Sequence, residues 1–119
     1  MANRILPGYV MPVGDKYEVV VDHDGPASYN NTGTPATSGE TINASDLGLG
    51  GIELCQVDAL SSDGLNYVLV TIVGQSTSGN VGNAVTSVTL RWFVVATNAE
   101  VANTVNLSGK SVRLQIRGV

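Results

Sequence analysis

The 119-residue sequence predicts an all-β chain: a single-domain antiparallel β-sandwich or barrel with one short helical turn near residues 43–48 and an extended N-terminal arm. Three observations carry that reading. The chain is rich in Val, Thr, Gly, Asn and Ser, which suits strands joined by tight turns. Apolar and polar residues alternate with period two in several segments, the pattern of a strand with one buried face. Turn formers separate those segments at short intervals, and no heptad, longer repeat or amphipathic helix interrupts them.

Residues 1–14 (MANRILPGYVMPVG) read as the arm, and residues 15–119 as the β domain. Two prolines and two glycines forbid regular helix in the arm, and each proline biases its predecessor to extended geometry. Fully extended, the arm reaches roughly 45 Å at about 3.3 Å per residue. It carries Ile5, Leu6, Tyr9, Val10, Met11 and Val13, side chains that require a surface to bury against. Either they cover the chain's own domain as a first strand, or they dock on a neighbouring subunit.

In residues 17–22, Tyr17, Val19 and Val21 alternate with Glu18, Val20 and Asp22, a clear strand. A long cluster of turn formers follows through residue 39, of a length typical of binding loops or disorder. Gly39 permits a turn into the short extended piece Glu40-Thr41-Ile42. Asn43 is placed to cap one helical turn, Asp46 meets the positive end of its dipole, and Gly48 stops it in a left-handed conformation. Leu47 and Leu49 make this turn a plug over the end of a β core.

Residues 52–59 form a strand whose parity shifts: Ile52 and Leu54 share one face while Cys55 and Val57 share the other, the signature of a bulge or of burial on both sides. Ser61-Ser62-Asp63-Gly64 is a turn. Residues 65–73 are nearly all apolar from Tyr67, as in a strand covered on both faces. Residues 74–83 (GQSTSGNVGN) read as a polar loop. Residues 85–97 form the longest strand. Val88, Leu90, Trp92 and Val94 line one face; Ser87, Thr89 and Arg91 begin the other, which Phe93 and Val95 then turn apolar. Phe93 and Val95 are therefore candidate subunit contacts, aromatic residues being enriched in interface cores; burial under the arm or a loop is the alternative. Residues 100–107 are irregular. Residues 111–117 close the chain with Val112, Leu114 and Ile116 inward against Ser111, Arg113, Gln115 and Arg117.

Composition narrows function. Net charge is −4, and the six Lys and Arg residues are scattered, so no basic patch neutralises phosphates; nucleic acid is not an expected partner. The single cysteine, Cys55, excludes an intrachain disulfide, and in a strand it reads as a small buried hydrophobe. Neither a signal-peptide pattern at the N-terminus nor a run long enough for a membrane helix is seen, so a soluble protein made in a cytoplasm, without a membrane partner, is expected. The only histidine lies in Asp22-His23-Asp24 at a strand end. Neighbours in an extended chain face opposite ways, so one cation cannot use all three, and His23 reads as part of a solvated turn. No nucleophile elbow, phosphate-binding glycine loop or convincing carboxylate pair is found. The expectation is a non-catalytic protein with no cofactor and no metal.

Two stretches, GETINASDLGLGGIEL (39–54) and EVANTVNLSGKSVRLQIRG (100–118), carry a resemblance. With Gly14-Asp15-Lys16 before the first domain strand, Gly39-Glu40, the Ala44 to Leu49 plug, Glu100-Val101, Leu107-Ser108 and Val112 to Leu114, their order resembles the small head decoration, or cement, proteins of tailed bacteriophages. The resemblance implies a compact β domain, oligomeric as a dimer or trimer at local symmetry axes, that binds the major capsid protein outside the head and clamps capsomers together. It implies residence on the virion capsid surface after synthesis in the host cytoplasm. Within it, Ile5, Leu6, Tyr9, Val10, Met11, Val13, Phe93 and Val95 are the expected capsid or subunit contacts. A tail or fibre adaptor and a carbohydrate-binding module using the long loops are the alternatives.

Overall fold

The computed structural model describes residues 3–13, 16–34, 37–57, 60–71 and 85–119, with only the backbone described at 3–11 and 13. Among the described residues, seven strands build two antiparallel sheets: β1 (Asn3–Val13), β2 (Lys16–Asp24), β3 (Glu40–Asn43), β4 (Ile52–Val57), β5 (Asn66–Thr71), β6 (Ser87–Val94) and β7 (Ser111–Gly118). The larger sheet runs β1-β2-β7-β4 and the smaller β3-β6-β5. The fold is an all-β sandwich. The 74–83 loop lies outside the described residues.

The segment read as an arm is extended, and its backbone lies along β2 as the outer strand of the chain's own larger sheet. This corresponds to the first-strand reading of that segment. The ladder is broken between Ile5, opposite Val21, and Val10, opposite Val19, so residues 6–9 stand against Val20 alone. Pro7 lies inside this excursion and has no N–H to give the ladder. Prolines and an irregular ladder blunt an edge strand against further pairing.

Alternation then fixes the core. Val19, Val21 and His23 of β2 and Val112, Leu114 and Ile116 of β7 are buried on one face of the larger sheet; Ile42, Val88, Leu90 and Trp92 meet them from the smaller. The parity shift in β4 is a true irregularity between Ile52 and Leu54, and it lets both Ile52 and Cys55 point inward while Leu54 is exposed. The plug is a 3₁₀ turn, Ala44–Leu47, stopped by Gly48 at φ 74°, with Leu47 and Leu49 buried. Asn43 occupies the cap position but makes no side-chain cap bond, contrary to its expected role; the Ala44 N–H bonds the Thr86 carbonyl, just beyond the Asn43–Ser87 pair of the ladder. Gly39 is needed where it stands. Its φ is +105°, and a Cβ there would lie 2.5 Å from the Leu90 carbonyl oxygen.

His23 differs most from expectation. It is not in a solvated turn: β2 continues to Asp24, and parity places the imidazole in the core at 0% exposure. Its Nε2 lies 2.7 Å from Glu40 Oε1, which also accepts the Trp92 Nε1–H at 2.8 Å. One carboxylate oxygen thus joins β2 in the larger sheet to β3 and β6 in the smaller. Glu40 Oε2 is buried with no hydrogen-bond partner among the described residues, so the site depends on its bonds through Oε1. Glu40→Ala is expected to destabilise the domain by about 3–5 kcal/mol, the usual loss when one member of a buried charged network is removed. Glu40→Gln, which retains an acceptor oxygen, is expected to cost less. Urea unfolding followed by Trp92 fluorescence measures both.

Candidate functional site

Among the described residues, the outward faces of the two sheets differ in chemistry. On the larger sheet, β2 and β7 present cross-strand charge pairs: Asp22 with Arg113 at 2.8 Å, and Glu18 with Arg117 at 3.6 Å. Gln115 adds a hydrogen bond to Glu18. A hollow of about 530 Å³ on this face is lined by Val20, Val57, Gln56, Arg113 and Gln115, and the last two are held in those bonds.

The smaller sheet is different. Tyr67 of β5 and Phe93 of β6 are directly opposite in the ladder, and their rings stack at 5.2 Å with 9° between planes. The Arg91 guanidinium sits 5.1 Å from the Phe93 ring centre and bonds Glu100 Oε1 at 3.1 Å. Phe93 is therefore only half-buried, held between Tyr67 and Arg91. Leu69 next to them is 48% exposed, so β5 is not covered on both faces as its apolar run suggests; it is the end strand of the smaller sheet and one side is open.

Where β5 begins and β6 ends, the end of the sandwich carries an apolar groove of about 520 Å³, lined by core-side residues such as Val94, Val101 and Leu107 as well as by Leu65 and Val95. Val94, Val95 and Ala96 form one side; Val101, Ala102 and Val105 form the other, over Leu107. Leu65, 61% exposed, stands at the lip with Val95 (40%) and Val105 (41%). Together with Leu69 these side chains expose on the order of 300 Å² of apolar surface, about the size of the largest patch on an ordinary monomer. Among the described residues, the one charge lining the groove is engaged: Lys110 Nζ bonds Asp63 Oδ2 at 2.8 Å and Asn66 Oδ1 at 2.6 Å.

The groove wall is irregular chain, held by a second loop. β3 ends opposite Leu90, so beyond it the β6 backbone needs other partners. The Trp92 N–H donates to Tyr29 Oη at 3.0 Å, and the Trp92 carbonyl accepts the Val101 N–H. Tyr29 Oη donates to Glu100 Oε2 at 2.7 Å, and burial together with that bond raises its pKa above the ordinary phenol value. Tyr29 in turn exchanges backbone bonds with Val105 and Thr104. Thr104 sits at φ 71°, a left-handed geometry costing a β-branched residue about 1–3 kcal/mol, and it turns the chain so that Val105 reaches the lip. The loop expected to be free for sugar binding is thus tied down: Asn31 donates to the Val101 carbonyl, and Thr32, Thr37 and Ser38 bond one another. Trp92, the best sugar-stacking group in the chain, is fully buried.

Of the expected contact residues, Val95 lines the groove and Phe93 lies on the same outer face. Ile5, Leu6, Tyr9, Val10, Met11 and Val13 belong to β1, in the other sheet, and their side chains lie outside the described residues. The structure does not bring these two sets onto one sheet. Leu65, Tyr67, Leu69 and Val105 were not among the residues singled out, although the alternation of Tyr67 and Leu69 with Val68 and Val70 carries the signal for two of them. Asp22 and His23 do point to opposite faces, and among the described residues no group of three His, Cys, Asp or Glu side chains is placed to hold a metal ion. No protein-family model, curated protein or solved structure matches the chain.

Two titrations follow. Burial pushes the Cys55 thiol up to about 12, so a disulfide reagent near neutral pH is expected to label it only after unfolding; rapid labelling of the folded protein would contradict its enclosure. At the groove rim, the Lys110 ammonium, the Leu65 N–H and the Ser61 hydroxyl hold the Asp63 carboxyl at about 2. Folding lowers this pKa, so its contribution to stability is complete above the ordinary carboxylate range and is lost as pH falls through about 2. Asp63→Asn is expected to flatten that part of the acid-unfolding curve, and carbon NMR of the Asp63 carboxyl is expected to show the low midpoint.

Proposed function

We propose that this chain is a head decoration protein of a tailed bacteriophage, a non-catalytic protein that binds the outside of the capsid and adds contact area between capsomers. The observation that carries the reading is the contrast between its two outer faces. Among the described residues, β2 and β7 present internally paired charges on one, while the other carries a stacked aromatic pair beside an apolar groove at the end of the sandwich. The side chains with the greatest chemical reach, His23 and Cys55, are enclosed in the core, which leaves surface recognition as the activity best suited to this architecture. The order of short motifs from Gly14 to Leu114 supports the same reading, and the acidic balance suits a position outside the shell, away from packaged DNA.

The mechanism is surface burial. About 100 Å² of apolar area removed from water yields roughly 2.5 kcal/mol before ordering costs. Repeated at every capsomer, that increment opposes the outward pressure of the packaged genome. Heads stripped of this chain are expected to release DNA at a lower temperature than complete heads, and added purified chain is expected to restore the difference. Equal release temperatures with and without the chain would overturn the proposal.

A further inference from the structure

We infer that the groove between β6 and the 101–107 loop is the seat for one extended, uncharged segment of a partner protein, which inserts two or three aliphatic side chains between Val95 and Val105. The identity of the partner as a capsid subunit rests on the decoration reading; the chemistry of the occupant does not.

Three features define that occupant. The first is size. A groove of about 520 Å³ suits a few aliphatic side chains in a row. The exposed apolar area around it, on the order of 300 Å², is well below the roughly 800 Å² per partner of a standard stable interface. A second copy is therefore a poor match.

The second feature is charge. Lys110 is held by Asp63 and Asn66, so the walls offer no charge to a partner. A charged side chain entering an apolar groove would lose hydration with nothing to replace it. The third is the backbone. The Val94 N–H is bonded to the Ala99 carbonyl and the Val95 N–H to the Leu65 carbonyl. The wall does not offer these donors for strand addition, so side chains make the recognition. The left-handed Thr104 holds Val105 at the lip in advance, so less ordering is needed when the segment arrives.

The test uses the full chain and a blocked peptide, acetyl-Leu-Val-Leu-amide. Amide NMR titration is expected to show saturable shifts at Leu65, Val95, Ala102 and Val105. Leu65→Asp and Val105→Asp, both at exposed positions, are expected to weaken binding at least tenfold. Leu54→Asp, exposed on the other sheet, is expected to leave it unchanged. The absence of saturable shifts, or shifts confined to another face, would overturn the inference. So would shifts that grow with protein concentration alone, which would make a second copy the occupant. The same variants are then pelleted with stripped heads. If the unmodified chain pellets and both groove variants pellet equally well, the groove inference fails while the decoration reading stands. If the unmodified chain does not pellet, the decoration reading fails, and the titration alone decides the groove.

Discussion

The fold depends on a single carboxylate oxygen. Glu40 Oε1 receives the Trp92 indole N–H and lies against His23 Nε2 in the space between the two sheets. Burying a carboxylate is costly, and here the cost is offset only when β2, β3 and β6 occupy their native positions together. The constraint reaches the surface through Trp92. Its backbone N–H holds Tyr29 and its carbonyl holds Val101, and Tyr29 holds Thr104 and Val105. A polar contact in the core therefore sets the far wall of an apolar groove.

This continuity explains why some of the structure was legible in the sequence and some was not. Strict alternation made β7 plain, and it placed Trp92 in the core. The broken parity of Ile52, Leu54 and Cys55 pointed to either a bulge or burial on both faces, and the ladder is irregular between Ile52 and Leu54. His23 misled because Gly25-Pro26 follows closely and signals a turn. The strand nonetheless runs to Asp24, and the same two-residue period that buries Val19 and Val21 also buries His23. Its partner, Glu40, lies 17 residues on, and no local pattern joins them. Asn43 stands at the expected cap position, but its side chain makes no cap bond.

The groove was half-legible. Phe93 and Val95 break the polar run of the outer β6 face, and Val95 is among the residues that line the groove. The opposite wall could not be read, because residues 100–107 have no period. Their conformation is imposed by Tyr29 and by the end of β3, which leaves the later part of β6 in need of backbone partners. The division of labour between the sheets follows from composition. Cross-strand charge pairs lie on β2 and β7, and Leu65, Leu69, Val95 and Val105 are exposed around β5, the end of β6 and the 101–107 loop, while Leu54, Leu60 and Val119 are exposed elsewhere.

A capsid-binding role makes a definite demand on that asymmetry: the smaller sheet must face the shell. The most direct measurement is a cryo-electron-microscopy reconstruction of phage particles that carry this chain. The expected result is density for the sandwich on the outer capsid surface, with the Leu65, Val95 and Val105 side turned towards a capsid subunit and the charged β2–β7 face turned to solvent. Finding the chain in the tail, or finding it on the capsid with the charged face inward, would contradict that role as described.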